Sequence, residues 1–204
     1  MNETLTCLPV LAVSGPFIPG CTSTKYQILN EISRGGMGII YLGKHSTLNR
    51  YAAVKMLFPH LAGETNFVKR FREETKAMAK LKHPNIVDLY DYVEAFDTYF
   101  IIMEVVVGRS LESMLKESGA MEPEPAIDII RQVLKALDSA HEKGVLHRDV
   151  KPSNIMVNDQ GFVKVLDFGI SKIIGGEDLT QTGFMVGTPQ YISPEQAQGA
   201  TVLA

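Results

Sequence analysis

From position 26 the chain alternates short β-branched and aromatic runs with turn residues, and 26–32, 39–43 and 51–57 read as strands. Gly35, Gly36 and Gly38 lie between the first two, which predicts a glycine-rich hairpin. The period then changes. Phe67, Phe71, Met78 and Leu81 recur at helical steps and predict a helix over about 64–82. Glu74 falls inside that apolar stripe and Glu73 outside it. An inward carboxylate is costly unless it meets a cation, so Glu74 is the first mark of a site. Strands follow near 86–93 and 99–107, then a hinge-like Val107-Gly108 and a short helix from 110 to about 116. A longer helix over 125–143 has Pro125 at its start and Gly144 past its end. Ile130, Val133, Leu134 and Leu137 are its expected apolar face. Runs at 155–157 and 162–166 flank Asn158-Asp159-Gln160-Gly161, a hairpin signal. Strands come first and helices mostly later, which implies an α+β organisation rather than alternating βαβ units.

Composition narrows the classes. The 204 residues suffice for a core without staples, and a net charge of −3 offers no broad basic field for nucleic acid. Residues 1–24, rich in Pro, Gly, Ser and Thr, read as a flexible leader. Both cysteines, Cys7 and Cys21, fall there and are expected to be free thiols in a reducing setting. The mildly apolar stretch 5–13 has no Lys or Arg before it, unlike a signal peptide. No run of 18 apolar residues occurs, so no membrane span is expected and a cytoplasmic setting is the default.

Four polar constellations then follow in order. Ser33-Arg34-Gly35-Gly36-Met37-Gly38 lies between two strands, where glycines let backbone N–H groups approach phosphate oxygens. Lys55, in Ala53-Val54-Lys55, is a strand lysine whose candidate partner is Glu74; a buried pair would explain both inward charges. His147-Arg148-Asp149-Val150-Lys151-Pro152-Ser153-Asn154 packs carboxylate, cation and carboxamide groups into one loop. Asp167-Phe168-Gly169 ends an apolar strand. Singly each has a bland explanation; together and in this order they do not.

This set resembles the signature motifs of the protein kinases over roughly 26–198, the template in which phosphoryl transfer rests on positioning and electrostatics. The resemblance implies a two-lobed fold: a small antiparallel β lobe over 25–105 and a mainly helical, incomplete large lobe over 106–204. It implies ATP and Mg²⁺ as cofactors. Ile32, Ser33, Arg34, Gly35, Gly36, Met37 and Gly38 would cover the phosphates, with Ile40 against the adenine. Ala53 and Met156 would sandwich the ring, and Met103, Glu104 and Val106 would form the hinge beside it. Lys55 would contact the α/β-phosphates, held by Glu74. Asn154 and Asp167 would coordinate Mg²⁺ through hard oxygens. Asp149 would accept the substrate hydroxyl's proton, and Lys151 would neutralise the transferring phosphoryl group. Met78, Leu89, His147 and Phe168 match an apolar column between the lobes.

Lys151, two residues after Asp149, resembles the serine/threonine class. The glycine loop and Ser193-Pro194-Glu195-Gln196-Ala197 are similar to bacterial Hanks-type kinases. The resemblance implies protein substrates bearing Ser or Thr and self-association for autophosphorylation. Thr180 and Thr182, in the segment that resembles an activation loop, are expected phosphosites that Arg148 would receive through paired hydrogen bonds. Thr188 resembles the hydroxyl that braces Asp149 and Lys151.

Two departures from the family pattern stand out. Ser33 replaces the first loop glycine, which implies a less freely closing loop. After Glu195 only nine residues remain, whereas the family's large lobe continues through further helices, including a carboxylate that braces the catalytic loop and an arginine that pairs with the position of Glu195. An exposed apolar face on the 125–143 helix is therefore expected. The sequence leaves open an active protein kinase, a nucleotide-binding module without turnover and, with less support, a small-molecule kinase. A shortened product, a fragment and an unstable remnant all fit.

Overall fold

The computed structural model describes residues 25–63, 65–168 and 189–198. Strands β1 (Tyr26–Gly35), β2 (Gly38–His45), β3 (Tyr51–Leu57), β4 (Leu89–Ala95) and β5 (Thr98–Met103) form an antiparallel sheet in the order β1-β2-β3-β5-β4. Every residue of β5 is buried, because the strand is covered on both sides. Tyr99, Ile101 and Met103 enter the main core, while Phe100 and Ile102 join Tyr26, Ala52 and Val54 in a second cluster. Two short irregularities, between Ile28 and Asn30 and between Glu31 and Ser33, interrupt the β1–β2 register.

Helix α1 (Pro59–Ala62), which the periodicity does not predict, starts on a proline at its first turn. Helix α2 (Thr65–Met78) turns Phe67, Phe71 and Met78 into the main core, with the Phe71 ring 5.7 Å from those of both Tyr92 and Tyr99. Its end falls short of the predicted Lys82. Lys80 and Leu81 bond back to Ala77 and Met78 in tighter i to i−3 turns, and the residue before Pro84 is disfavoured from helical geometry. Ile86 forms a parallel bridge with Val165 instead of starting a strand, so β4 begins at Leu89. The ladder likewise ends at Met103 rather than at Val107.

The remaining elements are β6 (Arg109–Ser110), α3 (Leu111–Ser118), α4 (Pro123–His141), β7 (Ile155–Val157), β8 (Val163–Val165) and α5 (Pro194–Ala197), with β6-β7-β8 forming a small sheet. Gly108 lets the linker approach β7: a Cβ there would lie 2.5 Å from the Val157 carbonyl oxygen. The β7–β8 turn is held by the Asn158 side chain, whose Oδ1 accepts from the backbone N–H of Gln160 and Phe162 at 3.0 and 2.8 Å. Helix α4 buries Ile129, Val133, Ala136 and Ala140. Ile130 and Leu134, half of the expected apolar face, are 50% and 58% exposed, and with Ile127 they form the exposed apolar stripe expected on this helix. The helix is apolar on two sides; the side carrying the alanines packs closest, since small side chains permit close approach.

Candidate active site

Residues 147–154 follow the turn that ends α4. His147 is almost fully buried, its ring centroid 4.5 Å from that of Phe168, and its Nε2–H donates to the Leu166 carbonyl at 2.8 Å. Its Nδ1 accepts from the Asp149 backbone N–H at 3.3 Å, so the imidazole is neutral with its proton on Nε2. Burial pushes its pKa below the ordinary histidine value, outweighing the hydrogen bond to Leu166 and the nearby Asp167 and Asp149 charges. Arg148 has φ 65° and Asp167 φ 54°, left-handed values for residues with side chains. Such backbone costs about 1–3 kcal/mol and persists only where its surroundings hold it, which is typical of functional sites.

Three groups converge around Asp149. Lys151 Nζ lies 2.8 Å from its Oδ2. Asn154 Nδ2 donates to the Asp149 carbonyl at 2.9 Å and to Oδ2 at 3.1 Å. Using its nitrogen this way leaves Asn154 Oδ1 as the end suited to a hard cation. Asn154 also fixes the next strand, its backbone carbonyl accepting from Leu166 N–H at 2.9 Å.

Across the cleft, Lys55 sits on β3 in register with Ile40 and Ile101, its side chain 8% exposed. A buried ammonium needs an anion. It finds both oxygens of Asp167 at 2.8 Å, not Glu74. The Lys55–Glu74 pair expected from the sequence is absent from the ion pairs of the described residues. Glu74 faces inward as its position in the stripe implies, 15% exposed, but its carboxylate lies 3.8 Å from the Arg148 guanidinium. Glu74, Arg148 and residues 144–146 line a cleft of about 180 Å³ there. The bidentate contact with Asp167 thus satisfies Lys55, and Glu74 turns to Arg148 instead.

Gly35 and Gly36 have nothing within 4 Å of where a Cβ would sit, whereas a Cβ on Gly38 would lie 2.0 Å from the Met56 carbonyl oxygen. Gly38 is therefore required by strand packing, and packing does not explain the other two glycines. Ile32, Ser33 and Arg34 are exposed on β1, with Arg34 paired to Glu31 at 2.8 Å. Met37, Ile40 and Val106 are partly buried against the main core. Ala53 pairs with Met103 across β3 and β5, while Met156 lies on β7 opposite Lys164. Glu104 uses its side chain structurally: the carboxylate meets Lys164 Nζ at 2.7 Å and accepts from Asp88 N–H at 3.1 Å. Met78 and Phe168 belong to the main core, with Leu89 packed against it. Thr180, Thr182 and Thr188 lie outside the described residues.

Some supports escape the sequence reading. Asn85 Nδ2 donates to the Val163 carbonyl at 2.8 Å and to Gln132 Oε1 at 3.0 Å, and Gln132 Oε1 also accepts from Val163 N–H. This network pins β8, and with it Asp167. The one available signal was a buried-type neighbourhood, Ile86-Val87, directly after an amide residue. Gln196 on α5 donates to the Arg148 carbonyl at 2.8 Å, a contact across 48 positions that no local pattern announces.

The arrangement is a strand lysine bound to an aspartate, a second aspartate held by lysine and asparagine, and a glycine hairpin. Residues 26–202 match the protein kinase domain model. The chain is 40% identical over 177 residues to the serine/threonine-protein kinase PrkC of Bacillus subtilis, covering 87% of this chain and 27% of that protein. It is 41% identical over 182 residues to PknA of Mycobacterium tuberculosis, covering 87% and 42%. These alignments thus take in well under half of either relative's length. Among solved structures, the Mycobacterium tuberculosis PknI kinase domain superposes with a TM-score of 0.70 at 30% identity, over 88% of this chain and 67% of that one. The fold of Rad53 in complex with AMP-PNP is also similar, with a TM-score of 0.70 at 27% identity, over 87% and 43%. With the family model spanning most of its length, the chain belongs to the protein kinase domain family.

Proposed function

We propose that this chain transfers the γ-phosphate of ATP to serine or threonine hydroxyls of protein substrates. The observation that carries the reading is the Asp149 cluster, a carboxylate aligned by Lys151 at 2.8 Å and Asn154 at 3.1 Å. In this reading Asp149 orients the substrate hydroxyl and takes up its proton, and Lys151 balances the negative charge that develops beside it. ATP would supply the phosphoryl group, and Mg²⁺ held by Asp167 and Asn154 would supply charge neutralisation there. The donor set fits that ion: Asp167 offers carboxylate oxygens and Asn154 an amide oxygen, both hard ligands. Lys55 holds Asp167 on the nucleotide side, and the open space over Gly35 and Gly36 leaves their N–H groups approachable by phosphate oxygens.

The reading includes lobes at 25–105 and 106–204 behind a leader at 1–24, and a cytoplasmic setting. It also includes self-association for autophosphorylation, with phosphate on Thr180 or Thr182 received by Arg148. The side chain of Arg148, now 3.8 Å from Glu74, has the charge and fork geometry for that. A Thr180→Ala/Thr182→Ala double variant is expected to lose activation on preincubation with ATP; full activation in that variant would remove this part.

The direct test incubates the chain with Mg-ATP and a Ser/Thr-rich protein and identifies the modified residues by mass spectrometry. Phosphoserine or phosphothreonine is expected. A chain that binds ATP but leaves the protein unmodified would favour a nucleotide-binding module instead.

A further inference from the structure

We propose that Gln196 is a positioning residue for the catalytic loop, its side-chain amide fixing the peptide that joins Arg148 to Asp149. The inference rests on the reading of Asp149 as the group that orients the substrate hydroxyl.

The Arg148–Asp149 peptide follows a residue held at φ 65°. A side-chain-bearing residue stays there only if its neighbours hold it. The neighbouring groups of the loop are secured from within the 147–166 segment: His147 by Leu166, Asp149 N–H by His147, and the Asp149 carbonyl by Asn154. The Arg148 carbonyl is different. It accepts from Gln196 Nε2 at 2.8 Å, a backbone tie that comes from α5, outside that segment.

The amide's orientation follows from its two contacts. Its Oε1 accepts from Ser193 N–H at 3.3 Å, while Gln196 N–H donates to Ser193 Oγ at 3.3 Å, closing the capping box of α5. Its Nε2 is then the end left for the Arg148 carbonyl. One side chain therefore caps α5 and ties that helix to the backbone of the catalytic aspartate. The Arg148 side chain meanwhile reaches Glu74 of α2. Movement of α5 would be felt at Asp149 through a single hydrogen bond.

The cap and the tie separate by substitution. Gln196→Glu keeps the length and the capping oxygen but cannot donate to a carbonyl; Gln196→Met keeps the shape and loses both. Ser193→Ala removes the cap's hydroxyl and leaves the tie. Phosphate transfer and amide hydrogen exchange across 147–154 are measured on the full chain and these three variants. We expect kcat to fall at least about tenfold in both Gln196 variants, with KM for ATP within about twofold of the parent, since misplacing a reacting group costs rate rather than nucleotide binding. Exchange of the Asp149 amide is expected to quicken in both. Ser193→Ala is expected to keep kcat and exchange near the parent's values. Unchanged kcat in Gln196→Glu, or an equal loss in Ser193→Ala, would overturn the proposal. If the parent chain transfers no phosphate the kinase reading fails, and exchange alone decides: a catalytic loop no looser in the Gln196 variants would overturn the tie.

Discussion

At the scale of single residues, the glycine hairpin divides by cause. Gly38 sits where a Cβ would strike the Met56 carbonyl at 2.0 Å, so Gly38→Ala must push β2 from β3. We expect it to cost about 1–3 kcal/mol in urea unfolding. Gly35→Ala meets open space and should change stability by less than about 0.5 kcal/mol, while weakening ATP binding measured by calorimetry. Equal stability losses in the two would contradict this division. Lys55 shows how far a single sequence position can be read. Its apolar strand neighbours alone would put it on the solvent side; that it is inward and needs a carboxylate is legible only from the inward Glu74, its candidate partner. Which carboxylate is not, because Glu74 and Asp167 both suit it and only the placement of α2 against residues 144–148 separates them.

At the scale of elements, α4 is the informative case. Its periodicity correctly indicated a long helix, and Val133 is buried as expected. The apolar residues wrap too far round the helix for the pattern to rank its sides: of one expected apolar face Val133 is buried while Ile130 and Leu134 lie outward. The inner side depends on Ala136 and Ala140, whose smallness carries little hydrophobic signal but permits close packing. Ile129→Ala is accordingly expected to cost about 2–5 kcal/mol, and Ile130→Ala less than about 0.5 kcal/mol, by thermal or denaturant unfolding. The reverse order would show that the other side of the helix is buried. The strands are more legible in the sequence, since β2 and β3 carry both apolar runs and turn residues at their ends. The boundaries that failed, at Met78 and Met103, are set by a proline-directed turn and by the end of a ladder, which side-chain pattern does not encode.

At the scale of the whole molecule, the 147–154 loop and the Asp167 strand are joined through a neutral, buried His147. Burial holds its folded pKa below its unfolded value of about 6.5. As pH falls through that value the unfolded chain binds the proton first, so stability is complete above it and declines in acid until the folded imidazole also protonates. The melting temperature should therefore drop between about pH 7 and pH 5, and His147→Asn should flatten that drop. An equal slope in the variant would assign the effect elsewhere, for example to His83, whose pKa burial also lowers.

In the proposed function, Asp149 and the groups around it carry phosphoryl transfer. The most direct measurement is γ-phosphate transfer from Mg-ATP by the chain and by Asp149→Asn, beside calorimetric ATP binding by both. Matching ATP affinity and a loss of transfer of at least about 10²-fold in the variant are expected, the scale of a general base and its charge. Transfer undiminished in Asp149→Asn would contradict that role.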